Sequence, residues 1–500
     1  MSSLEIATTI ETLRSHMIDL VVRGLASVSA GDLSAIRVLT EACDKSGMAH
    51  LTGRLETVTR AIANDAKAAP SALLSAYTSL HVFERVLSLE VAASTWEAAL
   101  SNGEDEDEDE DDEESKDDED EDDVSSPAPA LKGATMEIPA GEEKKLAALL
   151  DELAKAIEDL VRTGLTSATE ATRAKLDVSF KEASRMKLLR LGASLRYVNE
   201  EVGRFLAHSE AFSTKRFVFF VHRSWLLAKG ISEALRERND RILAKLLMTG
   251  AAEPIPVKSM EVVTLGVLSR TVQNAFTFDF RLRVVKSDVP ALVGQSLVLG
   301  LVFARKSTEI AAEAFLHLPQ PQKYHPKIFT ERAALSVTAS AVVGGRLVLG
   351  PKATVIPAKT PKSWSRWLAW AIEPALARVR AHEPSPLDLP VELQEEVVLT
   401  DWTCAEDVGR ESGEHRVFVV RAQGIELDAV IPAGSKVLAE HFEKRAKAKA
   451  NPPLFGLVHY ELGRLVMSPL SLVDEDEGPT HLMLSNEKIN LTALLGSLTL

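Results

Sequence analysis

An internal duplication constrains this chain more than any other feature. Residues 1–100 align with the stretch from 143 to about 248 at a shift of roughly 140. Leu20-Val-Val-Arg-Gly-Leu25 falls over Leu160-Val-Arg-Thr-Gly-Leu165, and Leu51, Leu55, Val58 and Ile62 fall over Leu191, Leu195, Val198 and Val202. Steps of three and four residues put such positions on one apolar helical face. Glu41-Ala42 match Glu182-Ala183 with a slip of one residue, and Tyr77 and Phe83 match Phe219 and Trp225 with a slip of two. The matched positions are core positions, so each copy is read as a bundle of about four short-looped antiparallel helices. Ser29-x-x-Asp32 and Ser167-x-x-Glu170 are the expected capping boxes. Gly47 is the expected stop of the second helix in the first copy, because glycine takes a positive φ without a Cβ penalty.

Between the copies lies an acidic run. The chain of 500 residues has 57 Lys and Arg against 73 Asp and Glu, a net charge of −16. Residues 104–123 hold 18 acids and one Lys, so the remainder carries 55 acids and 56 bases and is nearly neutral. That balance excludes both a uniformly acidic surface and a polybasic nucleic-acid binder. Residues 101–142 are too polar to offset the entropy of ordering and read as a disordered linker. The run serves either as a solvated spacer or as a polyanion that competes with nucleic acid or docks a basic partner.

Past Pro254 and Pro256 the hydrophobic period changes from 3.6 to 2. Phe276, Phe278, Phe280 and Leu282 alternate with Thr277, Asp279, Arg281 and Arg283, the pattern of a half-exposed antiparallel strand. Further strands are expected at 297–304, 310–318, 335–343 and 346–349, with Gly344-Gly345 turning a tight hairpin. Gly345-x4-Gly350-Pro351-Lys352 resembles a phosphate loop but sits in strand sequence with Pro351 where a helix must open, so it is read as a decoy. A helix carrying Trp364, Trp367 and Trp370 is expected from Thr360, then a proline-rich linker at 383–390. Strands at 397–400, 417–421 and 425–431, a helix from Ser435 to Lys449, and a hairpin turning at 461–463 complete the reading. The fold class is therefore multidomain α+β: two tandem all-α repeats (1–100 and 143–252) across the linker (101–142), then a β-rich antiparallel half with a few helices. That half divides into an antiparallel β domain (253–358), a Trp-rich helix and linker (359–390) and a C-terminal β-rich α+β domain (391–500).

Chemistry-bearing motifs are sparse. Cys43 and Cys404 stand alone, so neither a disulfide framework nor a structural zinc is expected, and a reducing, cytoplasmic setting follows. The twelve histidines form no HExxH or His-x-His, and no GxSxG, GxGxxG or kinase set is present. No catalytic, metal or cofactor residue is assigned, and neither a signal peptide nor a membrane span is expected. Three clusters merit attention. Trp364, Trp367 and Trp370 pack between β regions or present an aromatic surface. Lys444, Arg445, Lys447 and Lys449 complement a helix dipole, with a nucleic-acid contact or a docking site for the chain's own acidic run as the alternatives. Lys323, Tyr324 and His325, within Lys323-Tyr-His-Pro-Lys327, form the one polar cluster in the β half that a ligand site would use.

The apolar runs ending in Gly24-Leu25 and Gly164-Leu165, the pair Leu191-Gly192, and the hairpin from Leu454-Phe455-Gly456 through Gly463-Arg464-Leu465 to Pro469-Leu470 carry a resemblance. The chain resembles helical/β proteins encoded in bacteria beside SWIM zinc-finger, MoxR-type AAA+ ATPase and von Willebrand A proteins. With two cysteines it lacks the zinc finger itself. The resemblance implies an accessory subunit with protein partners, such as the ATPase or the von Willebrand A protein. A non-enzymatic scaffold or adaptor is the leading expectation. A ligand-binding protein or enzyme with a site near 323–327 is the alternative, and a nucleic-acid-associated protein with the acidic run as a polyanion mimic is the third.

Overall fold

The computed structural model describes residues 3–104, 142–247, 253–272, 275–304, 310–389, 393–407, 415–432 and 435–484. Most of the expected linker, 105–141, lies outside the described residues. The chain divides into two compact units, 1–88 with 130–251 and 383–389, and 89–129 with 252–382 and 390–500.

The first unit contains both helical copies. The first copy is α1 (Ser3–Arg23), α2 (Ala30–Lys45), α3 (Ala49–Asn64) and α4 (Ala69–Glu104), whose residues from Leu89 onward belong to the second unit. The second copy is α5 (Glu143–Thr163), α6 (Glu170–Arg185), α7 (Leu189–Leu206) and α8 (Thr214–Glu237), followed by α9 (Asp240–Leu247). Starts of α5, α6 and α7 repeat those of α1, α2 and α3 at 140 residues, as do the 3-10 turns Leu25–Ser27 and Leu165–Ser167. The register holds without the expected slip: buried Ile36, Cys43 and Met48 correspond to buried Leu176, Ala183 and Leu188.

Local chemistry explains the shared turns. Ser29 closes a capping box with Asp32: the Asp32 N–H donates to Ser29 Oγ at 3.2 Å, and the Ser29 N–H to the Asp32 carboxylate at 2.8 Å. In the second copy the box is Thr169 with Thr172, not Ser167 with Glu170, because Ser167 is consumed by the 3-10 turn. Gly47 stops α2 at φ +74°, and its counterpart Lys187 is held at φ +59°. Both turns are closed alike, by Met48 N–H to the Cys43 carbonyl (3.0 Å) and Leu188 N–H to the Ala183 carbonyl (2.9 Å).

Residues 383–389, expected as a linker, are a strap built into the helical unit. Arg190 Nη2 donates to the Leu387 carbonyl at 3.2 Å, Arg223 Nη1 donates to the same oxygen, and Asp388 lies 4.0 Å from the buried Arg85. These arginines sit on helices of both copies, so the strap satisfies polar groups that the bundle would otherwise bury alone.

The second unit begins with a closed barrel of β1 (Ile255–Val272), β2 (Ala275–Ser287), β3 (Ser296–Ala304), β5 (Arg346–Pro357) and β4 (Leu335–Val343), in that order. The phenylalanines of β2 face its interior as the alternation requires, with Phe278 and Phe280 fully buried. Gly344 and Gly345, at φ +53° and +75°, turn the β4–β5 hairpin. The strand expected at 310–318 is instead a 3-10 turn over Ala312–His317. Ala314, Phe315 and Leu316 are buried in that turn, with Phe315 packed on Phe276 of the barrel. A second sheet runs β6 (Gln394–Leu399), β10 (Leu454–Glu461), β11 (Arg464–Asp474), β9 (Ile425–Pro432), β8 (His415–Ala422) and β7 (Thr403–Glu406), with β12 (Gly478–His481) on β11. The half is not purely antiparallel: β3 pairs with β5, and β9 with β11, in parallel. Helices α10 (Glu373–Ala381) and α11 (Lys436–Arg445) and the end of α4 cover this sheet through Leu376, Phe442 and Trp96.

The tryptophan segment does not form the expected helix from Thr360. It makes a 3-10 turn over Ser365–Trp367, and α10 opens only at Glu373. Trp364 leaves the helical path because its ring is fully buried between barrel and sheet and its backbone N–H donates to the Glu475 carbonyl at 2.8 Å. No described helix is long and apolar enough to cross a membrane.

Candidate functional site

Two 3-10 turns that ride on the barrel supply one wall of a cleft of about 380 Å³ in the second unit. The first, Ala312–His317, is pinned by Phe315, whose ring lies 5.2 Å from Phe276. The second, Pro326–Thr330, is pinned by Phe329, 5.3 Å from Phe280. With those rings driven into the core, the neighbouring Glu313, His317, Lys327 and Thr330 line the cleft. His441 of α11 and Pro479–His481 of β12 form the other wall.

Arg332 fixes the rim. It pairs with Glu477 at 2.9 Å, donates to the Pro479 carbonyl at 3.2 Å and to Thr480 Oγ1 at 2.6 Å. That leaves His481 beside a fixed cation. Both of its ring nitrogens are sealed from solvent and bonded to none of the described residues. Burial, then the Arg332 charge, pushes its pKa down to about 4. The ring is therefore neutral at physiological pH, with one donor and one acceptor unsatisfied, an arrangement costing about 1–3 kcal/mol per group. His317 is shifted down by burial and then by Lys327 and His325. His441 is shifted down by burial and then by Lys444 and Arg445. Three neutral imidazoles in a positive field converge on one space, yet among the described residues no His, Cys, Asp and Glu group is set to hold a metal ion.

None of the residues singled out in the sequence lines this cleft. Lys323 is exposed in a turn at φ +62°. Tyr324 points the opposite way: its ring packs edge-on to Phe329 at 5.9 Å and burial raises its hydroxyl to about 12. His325 is exposed and donates from Nδ1 to the His317 carbonyl at 2.7 Å, which fixes its tautomer. The three diverge, and only Lys327 of the same run reaches the cleft. Lys444 and Arg445 lie one turn beyond His441, while Lys447 and Lys449 follow the end of α11, which stops at Arg445 and not at Lys449. Trp364 presses on Gly478, Trp367 stacks obliquely on Trp364 at 5.1 Å beneath Arg366, and Trp370 meets Trp96 edge-on at 5.6 Å. Sequence reasoning missed His317, Arg332, His441 and His481. They come from four separate segments, and no spacing links them.

The chain matches no family model and no curated protein. Two solved structures, described as "Molecular basis for abrogation of activation of pro-inflammatory cytokines" and "Structural mimicry for functional antagonism", are similar over 43% of this chain and 91% of theirs. Identity is 11% and 10% and the TM-score is 0.19 for both, a likeness that carries no argument about fold or function.

Proposed function

We propose that the protein is a non-enzymatic adaptor whose duplicated helical unit docks a protein partner. The observation that supports this is a pair of exposed valines. Val38 on α2 and Val178 on α6 occupy the same position of the two copies, and their exposures are 63% and 60%. One exposed valine is unremarkable, since folded surfaces carry many apolar atoms. Core positions match because both copies must pack, but nothing in packing asks for the same exposed apolar residue twice. A partner contacted equivalently by both copies supplies the reason.

The resemblance stated above suggests the class of partner, an AAA+ ATPase or a von Willebrand A protein, in a cytoplasmic assembly. Co-purification of the full chain from its native cell tests the reading. Val38→Lys and Val178→Lys should each weaken recovery of one partner, and the double variant should abolish it. Undiminished recovery by the double variant would sink the adaptor proposal.

A further inference from the structure

We infer that an open groove of the first unit docks an acidic, proline-containing loop of a partner protein, in the way that its counterpart in the second copy docks the strap. The two copies meet reciprocally at Gly24 and Gly164. A contact in which the same patch serves both sides implies an approximate two-fold axis, so a groove on one copy has a counterpart on the other. The strap lies against α7 through Arg190, against α8 through Arg223, and against α4 through Arg85 and His81, whose Nε2 is 3.4 Å from the Asp388 carbonyl. Exchanging the copies turns that set of helices into α3, α4 and α8. There the unit holds a groove of about 360 Å³, lined in part by His50, the counterpart of Arg190 at the repeat's shift of 140.

The lining says what such a loop must carry. Val82 and Phe83 of α4, with Trp225 and Leu226 of α8, make an apolar floor, while His50 and the exposed Arg54 of α3 supply donors and positive charge. None of the residues lining the groove is a carboxylate. The strap shows a loop that meets the same demands, because its buried Leu387 and Asp388 set an apolar side chain beside an acid. Its turn is also preformed: the Asp388 N–H donates to the Ser385 carbonyl at 3.0 Å, and the Ser385 N–H to the Asp388 carboxylate at 2.9 Å. A loop closed in that way loses little freedom on docking. A basic segment would instead meet repulsion from Arg54. The groove involves neither Val38 nor Val178, so the inference stands or falls apart from the surface proposed above.

Fluorescence anisotropy of the full-length protein against a labelled peptide of residues 383–390, EPSPLDLP, tests the groove. Saturable binding is expected, and peptides carrying Leu387→Ala or Asp388→Lys should bind about tenfold more weakly or worse. In the protein, the charge reversal Arg54→Glu and the groove-filling Val82→Trp should each weaken binding of the intact peptide to a similar degree. Circular dichroism checks that both variants fold. Binding that either variant leaves unchanged overturns the proposal, because the peptide would then be exchanging with the strap, and so does an absence of saturable binding. Self-association of the full chain that Arg54→Glu abolishes would seat a second copy in the groove and overturn it as well.

Discussion

Gly24 and Gly164, equivalent residues of the two copies, meet backbone to backbone in the helical unit: a Cβ built on either would overlap the main chain of the other. Both stand at positive φ, +88° and +81°, at the ends of α1 and α5. The motif that marks the duplication in sequence is thus also where the copies touch. Thr166 Oγ1 reinforces the contact by donating to the Arg23 carbonyl at 3.4 Å.

Alanine at either glycine should therefore destabilise the first unit by about 3 kcal/mol or more, combining left-handed strain with a main-chain clash. Gly53→Ala on α3 is the control. Its Cβ meets nothing within 4 Å, and it should gain about 0.5–1 kcal/mol through helix propensity. Urea unfolding followed by circular dichroism reads both. Equal effects at Gly24 and Gly53 would contradict the contact.

Lys187 holds the left-handed position that glycine fills at Gly47 in the other copy. Lys187→Gly should stabilise the second copy by about 1 kcal/mol, and Gly47→Ala should cost the first about the same. Thermal unfolding midpoints moving in opposite directions are the expected result.

The strap depends on buried guanidinium groups. Arg223→Met keeps the bulk but removes one of the two donors to the Leu387 carbonyl, leaving only Arg190 Nη2, and should cost about 1.5–3 kcal/mol as the loss of a buried charged hydrogen bond. Proteolysis should then cut within 383–389 first, detected by mass spectrometry. Unaltered cleavage would show that the strap is held by other contacts.

Acid should weaken both units through histidines buried as neutral rings. His222 in the first unit, in hydrogen-bond contact with Thr78 Oγ1 at 2.8 Å, is pushed down to about 3 by burial, then by His81 and Arg223. His481 in the second is pushed down to about 4. Each folded pKa lies below the ordinary value near 6.5, so between the two the unfolded chain binds a proton that the folded chain does not. Stability is fully present above pH 6.5 and declines as pH falls toward each folded value. His481→Leu should flatten the part of this decline between pH 6.5 and 4 and, by removing two unmet polar atoms, raise the unfolding midpoint at neutral pH.

The acidic run is expected to act as a spacer. Replacing residues 104–123 with a Gly/Ser linker of equal length should leave partner recovery unchanged at low and high salt. A loss confined to low salt would assign the run a docking role.

Periodicity and turn chemistry carried much of this fold. The 140-residue repeat, the Ser29 cap, the Gly47 stop, the β2 alternation and the Gly344-Gly345 hairpin are all local patterns, set by neighbours along the chain. Sequence reading failed where distant residues override local preference. Trp364 gives up a helix because the space beside Gly478 takes its ring, the 310–318 strand becomes a turn because Phe315 anchors it in the barrel, and the 383–389 linker becomes a strap because Arg190 and Arg223 claim the Leu387 carbonyl. The cleft belongs wholly to that second kind. The sequence by itself determined two helical copies, a β-rich half and a neutral balance apart from one acidic run. Only the tertiary structure decided that His317, Lys327, Arg332, His441 and His481 share one space, because burial and electrostatic field depend on what lies nearby in three dimensions and leave no period in the chain.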